Sequence, residues 1–143
     1  MVTTSTELTR HLPRDRVLGI FPKDELPKAS RFIVGKGIIF NLDNADGEGT
    51  HWTCAIHLPH VIIYIDPLGI DAPNNISRFL SMAGKPNGYV YSNTQYQPIR
   101  SDDCGKFVTY FLQNFINGRR FHEGLDEKPT KINMYIVDTS FDQ

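Results

Sequence analysis

The chain has 143 residues, a net charge of −1, 40% hydrophobic residues and 22% charged ones. That length is about one domain's worth, and it lets a chain bury roughly 68–70% of its unfolded surface without a disulfide or metal staple. Near-neutrality removes the pull behind non-specific nucleic-acid binding; two cysteines with no C-x-x-C pair exclude a disulfide framework and a cysteine-rich metal site.

In chain order, the N-terminal MVTTSTELTRHLPRDR lacks the apolar stretch of a secretory signal. Within it, residues 5–12 suit a short helix stopped by Pro13. PRDRVLGIFPKDELPKAS, with three prolines, reads as loop. Residues 1–40 hold seven Lys or Arg against four Asp or Glu, a bias read as solvated surface. RFIVG and GIIFNL, rich in β-branched and aromatic residues, predict two strands. An acidic loop, NADGEGT, follows, and then HWTCAIH and HVIIYID predict two strands around Leu58-Pro59.

PNNISRFLSMAG predicts a helix: Pro73 suits its start, Ile76, Phe79 and Leu80 share a face, and Gly84 can end it. GYVYSNTQYQ is a strand running into a loop. SDDCGKFVTYFLQNFING, residues 101–118, has an apolar stripe of Phe107, Val108, Phe111, Leu112, Phe115 and Ile116, and Gly118 is a natural C-cap. FHEGLDEKPT is loop and INMYIV a last strand. The pattern is α+β, with a central mixed or antiparallel sheet flanked by helices, in a single domain over residues 1–143. No apolar run approaches the ~18 residues of a membrane span, so a reducing intracellular setting is expected.

The hairpin brings chemistry together. If its turn is centred between Leu58 and Pro59, paired residue numbers sum to 117 and His51 stands directly opposite Asp66. Directly opposed side chains share a face with Cβ atoms roughly 4.5–5.5 Å apart. A carboxylate behind an imidazole orients it and favours its charged form. His57 and His60 fall at the turn, where a metal would lack further ligands. Alone, each of the five histidines, His11 and His122 included, reads as a surface residue.

Cys104 lies in the first turn of its helix, a place where thiols ionise more readily. Gly105 permits close approach of a substrate. Asp102 and Asp103 oppose ionisation if they point at the sulfur, and not if they cap the helix or face solvent, which is the expectation. A buried structural thiol, a disulfide to Cys54 and a nucleophile all stay open on these residues. Gln97, seven residues upstream and held extended by Pro98, reads either as an exposed loop residue or as an oxyanion donor, with Gln95 the weaker candidate.

The ordered set GTHWTCAIH, IIYIDPLG and YQPIRSDDCGKFVTYFL resembles the adenovirus-type, adenain-like cysteine proteases, including relatives in virophages and in the Polinton or Maverick DNA transposons. The upstream GIFPKDELPKASRFIVGKGIIFNLDNADGEGTHW is similar to the same group, and the resemblance covers roughly residues 17–117. It implies a papain-like superfold in permuted His-Asp-Cys order. His51 would be the general base, Asp66 its orienting acid, Cys104 the nucleophile, and Gln97 with the Cys104 N–H the oxyanion hole. Trp52 would wall the substrate site. The implied activity is cleavage of viral capsid or core precursors during virion maturation, in the virion or the host cell. The wider clan implies removal of ubiquitin-like tags as the alternative, and an inactive binding domain of the same fold is a third reading. Adenovirus proteases join a peptide cofactor through a second cysteine; the other cysteine here, Cys54, lies inside a strand, so no cofactor is carried over. Stimulation by DNA is not expected at a net charge of −1, and the expected enzyme is a monomer with a polypeptide substrate.

Overall fold

The structure is a computed structural model, and it describes residues 8, 10, 12–43, 51–97 and 104–125. Its centre is a five-stranded mixed sheet. The strands are β1 (Val17–Pro22), β2 (Gly37–Asn41), β3 (Trp52–His57), β4 (Ile62–Ile65) and β5 (Tyr89–Ser92), and they lie side by side in chain order. β1 runs parallel to β2, β3 and β4 alternate antiparallel, and β5 is parallel to β4. Helix α1 (Asn74–Ala83) connects β4 to β5, and helix α2 (Cys104–Ile116) follows β5.

The two helices cover opposite faces of the sheet. Side chains alternate across a strand with a period of two, so Ile39, Cys54, Ile56, Ile63 and Ile65 pack with Val108, Phe111 and Leu112 of α2. Ile38, Phe40, Ala55, Ile62 and Tyr64 pack with Ile76, Phe79 and Leu80 of α1. Burial on both faces explains why GIIF, WTCAI and VIIYI read as nearly continuous apolar runs. Gly37 leaves room for α2: a Cβ there would sit 2.6 Å from Leu112 Cδ2. Among the described residues no helix is long and apolar enough to cross a membrane.

Three sequence expectations are corrected. Residues 17–22 are a strand rather than loop. β1 is an edge strand of the described sheet, its register slips between Val17 and Ile20 around Gly19, and Pro22 is its last residue. Those are the places where a strand tolerates glycine and proline. RFIVG is not a strand. Ala29–Arg31 form a 3₁₀ turn, and Phe32 is buried. Gly35 then takes φ +93° while its N–H donates to the His57 carbonyl at 2.8 Å, so the chain turns sharply where the β-branched residues suggested extension.

The third correction is the hairpin register. Cys54 pairs with Ile65 and His57 with Ile62, so paired numbers sum to 119, not 117. The Leu58 N–H donates to the Val61 carbonyl at 2.9 Å, leaving Pro59-His60 as the turn. Continued, this register sets Thr53 rather than His51 opposite Asp66. The slip is two residues, which preserves the face of every side chain. Of the helix expected over 5–12, Leu8 and Arg10 are helical and most of the rest lies outside the described residues. The strand INMYIV and the orientation of Asp102 and Asp103 lie wholly outside them.

Candidate active site

Strand directions gather four chain segments at one end of the sheet. β3 begins where the antiparallel β4 ends, and the parallel β5 ends there too. His51 precedes β3, Asp66 follows β4, Gln97 lies beyond β5, and Cys104 opens α2, which packs along β3.

His51 and Asp66 meet on a diagonal. Nε2 lies 3.1 Å from both Asp66 carboxylate oxygens. Diagonal neighbours across a ladder sit about 7–8 Å apart, within reach of long side chains. The same diagonal, one step along, carries the Tyr64 hydroxyl donating to Thr53 Oγ1 at 2.9 Å. The Cys104 side chain is the second hydrogen-bonding partner that raises the His51 pKa.

Asp66 is only 2% exposed, whereas the His51 side chain is 25% exposed, so the imidazole is the open member of the pair. A buried carboxylate must be neutralised and hydrogen-bonded. His51 supplies one partner, and the Leu68 N–H donates to Oδ1 at 2.8 Å. The Asp66 carbonyl accepts from the Gly69 N–H at 2.7 Å, closing the turn Asp66-Pro67-Leu68-Gly69. Asp, then Pro, then Gly at the fourth position is a turn signature visible in DPLG.

Cys104 is buried in the same cluster as Trp52, Val108 and Phe111. Its Sγ accepts a hydrogen bond from the Trp52 backbone N–H at 3.3 Å. That contact had no side-chain signal in the sequence, since it depends on α2 starting against the first residue of β3. Trp52 is itself buried in that cluster. Cys54 and Cys104 are both free thiols. Cys54 is fully buried in mid-strand, and burial, then the Asp66 charge, pushes its thiol well above the usual range.

Gln97 is buried rather than exposed. Its N–H and that of Tyr96 donate to the Pro67 carbonyl at 3.0 and 2.8 Å, fastening this loop to the Asp66 turn. Gln95 is exposed, and its Nε2 donates to the Gln97 carbonyl at 2.9 Å, a bracing role rather than an independent donor site. Gly69 lies under this junction. It has φ +79°, and a Cβ would meet the Asn93 carbonyl oxygen at 2.9 Å and Thr94 backbone at 3.0 Å. Gly69→Ala is expected to cost about 2 kcal/mol or more, since a left-handed φ and a backbone clash add. Urea denaturation would measure it, and activity should fall with it.

Burial opposes charge on His51, but its hydrogen bonds to Asp66 and Cys104, reinforced by their charges, push its pKa up to about 10. A raised folded-state pKa stabilises the fold fully below the unfolded value of about 6.5 and ceases to do so above the folded value. The stability difference between wild type and His51→Gln is therefore expected to be largest near pH 6 and to shrink to nothing as the pH rises to about 10. Urea titrations at several pH values would check this; a difference that grows with pH would contradict it.

No cluster of three or more metal-ligating side chains occurs among the described residues. A scan against protein-family models matches none, and a search of curated proteins finds no relative, so function has to be read from these side chains.

Proposed function

We propose that the chain is a cysteine peptidase, a papain-like fold in permuted order with Cys104 as its nucleophile. The observation that carries this reading is His51, which bonds Asp66 through Nε2 and shares a hydrogen bond with Cys104. A thiol, an imidazole and a carboxylate linked in that order form the nucleophile, base and orienting acid of covalent acyl transfer.

In this reading the Cys104 proton already resides on His51 Nδ1, because the ring, with its pKa raised to about 10, is charged at neutral pH and pairs with a thiolate. The sulfur attacks the scissile carbonyl carbon, and the C=O electron pair moves onto oxygen. First-turn N–H groups of a helix lack intrahelical acceptors, so the Cys104 N–H, together with the Gln97 amide, is suited to hold that oxyanion. Collapse breaks the C–N bond, and His51 returns the proton to the leaving amine. Water, deprotonated by His51, then attacks the thioester, releasing the acid and the thiolate. The Trp52 N–H steadies the charge on sulfur between these steps. The substrate is a polypeptide. By resemblance, the substrates would be viral capsid or core precursors cleaved during maturation.

The test is to incubate the protein with a proteome-derived peptide library and with capsid precursors of adenain-encoding viruses, then map new N-termini by mass spectrometry. New termini made by wild type and not by Cys104→Ala support the reading; none would count against it. Capture by a ubiquitin-family electrophilic probe with no endopeptidase products would instead favour removal of ubiquitin-like tags.

A further inference from the structure

A groove lies at the opposite end of the sheet from the thiol. β3 separates His51 from His57 by six residues, on the order of 20 Å at the usual strand rise. Beside His57 is a groove of about 520 Å³, between the 32–34 segment, the Pro59-His60 turn and the C-terminal end of α1. Ligand clefts span roughly 300–1,000 Å³.

Two features say what would fill it. Of the large hydrophobic side chains, Ile33, Val34, Ile70 and Met82 are exposed among the described residues, each by more than half, and three of them line this one groove. Convergence of exposed apolar side chains, as opposed to their scatter, marks an interaction site. The charged and ionisable lining is one-sided. It comprises Lys85, His57 and His60, with no Asp or Glu among the lining residues. His57 is fixed in place: its Nδ1–H donates to the Phe32 carbonyl at 2.9 Å, which leaves Nε2 as the ring's second hydrogen-bonding atom.

We propose that this groove is a docking site for an acidic peptide segment of a partner protein, with an apolar side chain seated among Ile33, Val34 and Met82 and flanking carboxylates met by Lys85 and His60. Lys85, with no acidic residue in the lining, favours an anionic ligand, and His57, whose pKa burial pushes down, meets it as a neutral ring. At about 20 Å from His51 it is separate from the thiol site, so it would hold a polypeptide whether or not Cys104 is catalytic. Under the peptidase reading it would tether a substrate away from the bond being cut.

The probe is the peptide acetyl-Glu-Leu-Phe-Asp-amide, titrated at pH 7 into protein with ¹³C-labelled Ile, Val and Met methyl groups; acetyl-Lys-Leu-Phe-Lys-amide is the charge-reversed control. The acidic peptide should shift the Ile33, Val34 and Met82 methyl resonances saturably below about 1 mM. Met82→Ser and Lys85→Glu, both at exposed positions, should each weaken binding about tenfold and leave the rest of the spectrum unchanged. The proposal is overturned by no saturable shift, by equal binding of the basic peptide, or by shifts centred elsewhere. A dimer in sedimentation that Met82→Glu dissociates would also overturn it, because a second copy would then be the occupant.

Discussion

Cys104→Ala is expected to abolish peptide hydrolysis while leaving the fold standing. The substitution removes one sulfur atom from a residue that is 2% exposed within the α2 side of the core. A loss that small in a packed core costs about 1 kcal/mol, so the thermal midpoint should move by only a few degrees. Catalysis is affected differently. Without the sulfur there is no thioester route, and removing a nucleophile of this type lowers kcat by about 10⁶, with binding and the oxyanion hole supplying the residue of rate. Turnover and melting of the same sample separate the two effects. Hydrolysis at the wild-type rate by the alanine variant would eliminate Cys104 as nucleophile.

Asp66→Asn should be nearly as damaging to kcat, by about 10⁴, the scale seen when an orienting carboxylate becomes an amide. The local hydrogen bonds explain why. The Leu68 N–H needs an acceptor at the Oδ1 position, so the asparagine oxygen is held there and its NH₂ group takes the Oδ2 position, which is also 3.1 Å from His51 Nε2. Nε2 then meets one acceptor and one donor in place of a carboxylate, so the tautomer with its proton on Nδ1, facing the thiol, is no longer disfavoured. A ring in that tautomer cannot take the Cys104 proton. The loss of the charged partner should also lower the His51 pKa from about 10, and NMR titration of the ring would report that fall. Unchanged ring titration together with lost activity would mean that Asp66 is merely structural.

Much of this arrangement was legible in the sequence, and the errors have physical causes. The helices over 74–83 and 104–116 were readable because their apolar residues recur at helical spacing between proline or polar starts and glycine stops. The His51–Asp66 pair was foreseen through a wrong register. It survives because a two-residue slip keeps parity and because an imidazole spans the diagonal that results. β1 was hidden by the same prolines that an edge strand tolerates at its end. RFIVG misled in the opposite direction, since strand propensity says nothing of the positive φ that Gly35 adopts. The Trp52 N–H contact with sulfur and the anchoring of Gln97 on Pro67 are backbone interactions between distant segments. Side-chain identity carries little signal for either.

The most direct test of the central claim, that His51 and Asp66 activate Cys104, is the rate of iodoacetamide alkylation of each cysteine in the native protein, followed by peptide mass spectrometry. The account predicts that Cys104 reacts at least tenfold faster than Cys54, which is fully buried with its thiol pushed upward, and that His51→Gln removes the difference. Equal rates for the two cysteines in wild type, or a Cys104 rate indifferent to His51, would contradict it.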